Sequence, residues 1–334
     1  MIAAAEGHGT TMKIALLVNR ENFENYSSWG DTGWELIHMG NGAPDKDALI
    51  STRADALIVD AVVKIGKDVI DDMPGLKMIH SQGVAFNAID VEAARKGNVY
   101  VCNNAGMNAR AVAEQAALLI LSLVKSFRRN EDMVYAGRQM EAKTACFVNG
   151  LPELFGRSVG IVGLGAIGGE LCAILKAFGC RVFYFNSSGD KKTPDAEYLP
   201  LEELYTRSDI VSLHAPVTEA TTDMINSETL KLFKHGALLI NTARGELVDH
   251  AAVVDALKSG RLGGFGTDTL APEPVLAENP LLRALPEELR SRVALSPHIA
   301  GITAGFFTRA YAHIRKNIEA IASGGKPDCI VNGL

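Results

Sequence analysis

Residues 160–188 read GIVGLGAIGGELCAILKAFGCRVFYFNSS and set Gly163, Gly165 and Gly168 between an apolar run and a helical pattern. Glycines at that spacing bind phosphate through the backbone. The first permits a tight turn, the second lets the chain approach a pyrophosphate, and the third lets helix pack close to strand. The helix N-terminus, opened by Ala166 and Ile167, then points at the phosphates. The stretch therefore predicts a dinucleotide site. After the second strand of such a unit an acid usually accepts from the adenosine ribose, but here Asn186, Ser187 and Ser188 follow. An amide does not repel a 2′-phosphate as a carboxylate does, and Ser187, Ser188, Lys191 and Lys192 can donate to one. The expected cofactor is NADP(H). NAD(H) or dual use is the alternative, because no arginine directly follows the strand.

The elements that must position this turn are short β-branched runs alternating with helical patterns, the mark of βα units and parallel sheets. Strands are expected at KIALLV (13–18), ALIV (56–59), KMIH (77–80) and VYVC (99–102), making a first α/β unit. AVAEQAALLILSLVKSF (111–127) predicts a long helix, apolar nearly all round and hence buried between layers or domains. Six more strands follow, SVGIVG (158–163), RVFYF (181–185), DIVSL (209–213), ALLIN (237–241), GFGTD (264–268) and VALS (293–296), enough for a complete dinucleotide-type domain. A last helix over 304–322 comes too late for that sheet and is assigned back to the first domain. The expected division is 12–104 with 301–334 as a discontinuous substrate domain and 105–300 as the dinucleotide-binding domain, with a cleft between them.

Composition narrows the function classes. At 334 residues, 47% hydrophobic and 22% charged, the chain has room for two globular cores. A net charge of −6 gives no general attraction to nucleic acid or to an anionic membrane. No apolar run approaches the roughly 18–20 residues that span a bilayer. Five cysteines without CxxC spacing suggest neither a disulfide framework nor zinc, which fits a reducing cytoplasm. Residues 1–11 lack a signal-peptide pattern and are expected to be a disordered extension. His8, His38, His80, His235, His250 and His313 show no metal-ligand spacing, and no metal is expected.

Several separate stretches, in order, make the chain similar to the D-isomer-specific 2-hydroxyacid dehydrogenase family from Met12 onward. GVAFNAIDVEAARKGNVYVCNNAGMNARAVAEQ (83–115) resembles its substrate-loop segment and VSLHAPVT (211–218) the stretch beneath the cofactor. INTARGELVD (240–249), TDTLAPEP (267–274) and SPHIAG (296–301) resemble those carrying its arginine, glutamate and histidine. The resemblance implies Arg244, Glu273 and His298 as the catalytic set, and His214, Pro216, Thr242, Ala243 and Asp268 as further cofactor contacts. It implies Gly83, Val84 and Ala85, with Arg244 and His298, as the substrate site. It also implies two Rossmann-like domains with doubly wound parallel sheets, and a homodimer formed through the cofactor domain.

Those residue types suit the implied reaction. A 2-oxo acid presents a carboxylate beside a ketone, which the rigid fork of Arg244 can grip together. His298 supplies the proton for the carbonyl oxygen as hydride reaches C2. Glu273, if it touches the imidazole, orients the ring and favours its protonated form. The expected reaction interconverts small 2-oxo acids, such as glyoxylate, hydroxypyruvate or pyruvate-like compounds, with D-2-hydroxy acids. The alternatives are phosphite-type oxidation on the same scaffold and a non-enzymatic, cofactor-sensing corepressor-like protein. Two departures bear on the pocket: Ala85 and Asn87 replace the second glycine and the acid of GVGxD, and 136–154 contains no tryptophan.

Overall fold

The computed structural model describes residues 11–334, so the expected extension falls outside the described residues except for Thr11. Two compact units are present. One runs to Asn108 and resumes over Ile302–Leu334, and the other is Ala109–Gly301.

The first unit carries strands β1 (Lys13–Leu17), β2 (Glu35–His38), β3 (Ala56–Val59), β4 (Met78–Ser81) and β5 (Tyr100–Cys102). They pair in parallel in the order β2-β1-β3-β4-β5. Side chains alternate between two buried faces: Ala15 and Leu17 join Leu57, Val59 and Ile79 on one side, while Ile14 and Leu16 join Ile58 and Met78 on the other. Covering both faces explains why the central strands read as unbroken apolar runs. The helix Ala304–Ala322 closes the second face. Its Tyr311, Ile314, Ile318 and Ile321 recur at helical spacing and enter the same core as Ile14 and Leu16. Four strands were expected here and five are present. The extra one, β2, lies at the sheet edge, where Glu35 is exposed and the next three residues are half-buried, so it lacks the buried-run signature.

The second unit carries β6 (Ser158–Val162), β7 (Arg181–Phe185), β8 (Glu197–Tyr198), β9 (Ile210–Leu213), β10 (Ala237–Asn241), β11 (Leu262–Thr267) and β12 (Val293–Leu295). All pair in parallel, in the order β12-β11-β10-β9-β6-β7-β8. The order reverses around β6 and β9, where a doubly wound sheet opens its ligand crevice. Six strands were expected and seven are present, because the edge strand β8 has only two residues. The long apolar helix spans Ala109–Val124 rather than 111–127. Ser126 takes a left-handed φ of 48° and breaks it, and a separate helix, Phe127–Tyr135, follows. Ala113, Ala116, Ile120 and Val124 pack with Val159 and Ile161 in this unit's core. No helix among the described residues is long and apolar enough to cross a membrane.

Candidate active site

Arg244, Glu273 and His298 stand on the loops that leave the carboxyl ends of β10, β11 and β12, three neighbouring strands. Arg244 is exposed, and its Nη1 donates to the Ala243 carbonyl at 2.7 Å. Asn241, at the end of β10, closes this loop: its Oδ1 accepts from Ala243 N at 3.0 Å and its Nδ2 donates to Arg244 O at 2.7 Å. Glu273 and His298 meet directly, with Nδ1 2.7 Å from Oε2. That contact leaves Nε2 of His298 without a hydrogen bond among the described residues.

His298 has φ +56°, a left-handed conformation that costs a non-glycine residue on the order of 1 kcal/mol or more. Asp268 holds it there. The Asp268 carbonyl accepts from His298 N at 2.7 Å. Its carboxylate accepts from Ile299 N at 3.0 Å, Ala300 N at 2.8 Å and Ser296 Oγ at 2.5 Å. Gln115 Nε2 in turn donates to Ser296 Oγ at 2.9 Å. Expected as a cofactor contact, the buried Asp268 carboxylate is thus engaged in pinning the histidine loop. Asn241, Ser296 and Gln115 were not among the expected site residues, since their partners lie far along the chain or in backbone.

The glycine turn follows β6. Gly163 has φ +101°, and a Cβ there would lie 2.6 Å from the His214 carbonyl; a Cβ on Gly168 would lie 2.3 Å from the Gly163 carbonyl. Gly165, as the N-cap of the helix Ala166–Ala177, meets nothing within 4 Å. The turn is therefore closed toward the protein and open at the helix N-terminus, as a pyrophosphate requires. Buried polar atoms without a partner cluster at the same strand ends: Asn186 Nδ2 after β7, His214 Nδ1 after β9 and Thr242 Oγ1 after β10. Buried polar groups normally find partners, so this set fits a dinucleotide with its ribose and amide groups. Burial pushes His214 down to about 4, and the neutral ring meets Ser212 Oγ through Nε2 at 2.9 Å. Ala243 is half-buried, and Pro216 is exposed on the loop after β9.

Asn186 does more than replace an acid. Its Oδ1 accepts from Leu164 N at 2.7 Å, so the side chain clamps the glycine turn. Lys191 Nζ donates to the Leu164 carbonyl at 2.6 Å. Of the two lysines expected to await a phosphate, Lys191 already touches the turn, and it is exposed, as are Ser187, Ser188 and Lys192.

In the first unit, the loop after β4 has every carbonyl from Gln82 to Ala85 tied back. Asn104 Nδ2 donates to Gln82 O at 2.8 Å, Asn104 N to Gly83 O at 2.9 Å and Asn103 Nδ2 to Val84 O at 2.7 Å. Ser81 Oγ donates to Ala85 O at 2.6 Å. The N–H groups of Val84 and Ala85 have no acceptor among the described residues. Successive outward amides of this kind bind anions.

Known proteins match this chain in sequence and in fold. The family model described as D-isomer specific 2-hydroxyacid dehydrogenase, NAD binding domain, matches residues 117–300. A glyoxylate reductase of Korarchaeum cryptofilum is 33% identical over 327 residues, 96% of each chain. One from Thermofilum pendens is 35% identical over 292 residues, 86% of this chain and 82% of its own. The structure of D-2-hydroxyisocaproate dehydrogenase superposes with a TM-score of 0.85 at 27% identity, over 96% of this chain and 99% of that one. The protein is thus a nicotinamide-dependent oxidoreductase. It belongs to the D-isomer-specific 2-hydroxyacid dehydrogenase family.

Proposed function

We propose that the protein interconverts small 2-oxo acids, of the size of glyoxylate, hydroxypyruvate or pyruvate, with D-2-hydroxy acids. The observation that carries this reading is the 2.7 Å contact between Glu273 Oε2 and His298 Nδ1, which leaves Nε2 as the one ring nitrogen able to serve a substrate oxygen. In the reductive direction His298 gives that proton, and in oxidation it takes it back. Glu273 fixes the orientation of the ring. Arg244 keeps donors beyond the one used on Ala243, and its fork receives the carboxylate and carbonyl oxygens. The amides of Val84 and Ala85 take the substrate carboxylate. When bound, the reduced nicotinamide supplies the hydride. The glyoxylate reductases at 33% and 35% identity support the choice of a small 2-oxo acid.

The cofactor assignment we favour is NADP(H). Asn186 offers an amide where a carboxylate would oppose a 2′-phosphate, and Lys191 stands at the turn with Ser187, Ser188 and Lys192 beside it. We further propose a homodimer formed through the second unit, whose Phe147, Tyr135 and Phe155 side chains are 89%, 85% and 74% exposed. Exposed apolar surface of that size on adjoining segments suits a partner of the same kind. Sedimentation of the wild type against Phe147→Asp tests it; a wild-type monomer removes the dimer.

Turnover of a 2-oxo acid panel with NADPH and NADH tests the main reading. Arg244→Lys, which keeps the charge and loses the fork, is expected to lower kcat/KM on the order of a hundredfold while leaving cofactor Kd unchanged. A wild type inactive on every member of the panel overturns the reading.

A further inference from the structure

The loop after β4 owes its shape to a side chain far from it in sequence. Asn104 can donate Nδ2 to Gln82 O only while its amide keeps one sense, with Oδ1 turned the other way. Oxygen and nitrogen of an amide differ little in shape, so partners decide that sense. The partner here is His313, on the helix Ala304–Ala322, whose Nδ1 lies 2.9 Å from Asn104 Oδ1. Oδ1 can only accept, so Nδ1 of His313 carries the proton and Nε2 is an acceptor. Nε2 lies 3.5 Å from Asn317 Nδ2, whose two N–H groups have nearer acceptors in His80 Nε2 at 3.0 Å and Asp328 O at 3.1 Å. The chain of donors ends where His80 Nδ1 donates to Ser81 O at 2.8 Å, back at the start of the loop. The polarity from His313 to Asn104 and that from Asn317 through His80 to Ser81 both agree when the imidazoles are neutral. Burial favours that state in each, holding His80 down at about 3 and His313 below the ordinary histidine range.

We propose that His313 is a positioning residue for substrate binding: by fixing the sense of the Asn104 amide, whose Nδ2 holds Gln82 O while its backbone N–H holds Gly83 O, it anchors the start of the loop that presents the Val84 and Ala85 N–H groups to the carboxylate of the 2-oxo acid. The proposal rests on the reading of those amides as the carboxylate site. His313 itself is buried and touches no substrate. Its influence runs through one amide.

The test is steady-state kinetics of His313→Leu and His313→Gln with glyoxylate and NADPH, alongside NADPH titration of each. Leucine removes the donor at similar volume, and KM for glyoxylate is expected to rise about tenfold with kcat within about twofold and the NADPH Kd unchanged. Glutamine restores a donor toward Asn104 Oδ1 and is expected to recover most of the KM. Should the leucine protein fail to fold, Asn104→Asp replaces the donating Nδ2 by an acceptor and is expected to raise KM in the same way. A leucine variant with wild-type KM, or a glutamine variant as impaired as leucine, overturns the proposal while the activity stands. A wild type inactive on all 2-oxo acids overturns the reading beneath it, and the proposal with it.

Discussion

Residues 163–168 and residues 82–85 both leave some backbone N–H groups without an acceptor among the described residues, and they do so by opposite means. In the second unit the turn is shaped mainly by omission: no side chain occupies the space at Gly163 or Gly168, a helix N-terminus faces the opening, and the Asn186 side chain adds a clamp. In the first unit the loop is shaped by addition, with Ser81, Asn103 and Asn104 pulling four successive carbonyls inward. A cradle made by omission is broken by one methyl group, although here the Asn186 amide also braces it. A cradle made by addition survives small local changes but depends on each amide that holds it.

The largest effect expected from this contrast is at Gly163. Alanine there would need a positive φ and would push a Cβ to within 2.6 Å of the His214 carbonyl, so cofactor affinity should fall more than about a hundredfold. Fluorescence titration with NADPH measures it, and a Kd within tenfold of wild type would show that the turn has slack. Acid is the next lever. His80, beside the 82–85 loop, is held down at about 3 and His214, beside the glycine turn, at about 4. Both are neutral in the fold but take up protons near pH 6.5 once unfolded, so their contribution to stability is present above that pH. It is lost as pH falls toward the folded values, at about 1.4 kcal/mol per pH unit for each ring. Urea melts from pH 7 to 4 should show that decline, and His80→Gln should flatten its share. A pH-independent midpoint over this range would mean neither ring is held neutral.

Smaller effects sharpen the comparison. Asn103→Ala removes the donor to Val84 O and should raise the 2-oxo acid KM about three- to fivefold without changing cofactor Kd. An equal loss of cofactor binding would mean that the two cradles are not separable. Asn186→Asp keeps the acceptor for Leu164 N and adds only a charge, so it isolates electrostatics at the ribose site. The NADPH to NADH preference, read as a ratio of kcat/KM values, should move toward NADH by about tenfold. An unchanged ratio would assign the 2′-position to other residues.

The same contrast explains what could be read in the chain before its fold was known. Glycines at fixed spacing after an apolar strand carry their reason locally, and so do the central strands, whose two buried faces demand unbroken apolar runs. The strands β2 and β8 were missed because neither has a fully buried residue and β8 is only two residues long. Arg244, Glu273 and His298 were singled out through the resemblance of the stretches around them, not from a pattern of their own. Asn104, His313, Gln115 and Ser296 gave no signal at all. Asparagine or serine in a loop is ordinary, and their partners lie 22 residues away for Asn104 and Gln82 and 181 for Gln115 and Ser296. The role of Asp268 as an anchor for the histidine loop was hidden for the same reason.

The interruption of the first unit has a bearing on how the protein is made. A ribosome delivers β1 to β5 early, but Tyr311, Ile314 and Ile318, which seal one face of that sheet, emerge only after Ala109–Gly301 has been completed. At about 5–20 residues per second the sheet waits on the order of ten to forty seconds with an apolar face uncovered. The nested unit has all of its strands in that interval and can finish first. Nascent chains released before Ala304 should therefore hold a folded cofactor unit and a sheet available to chaperones.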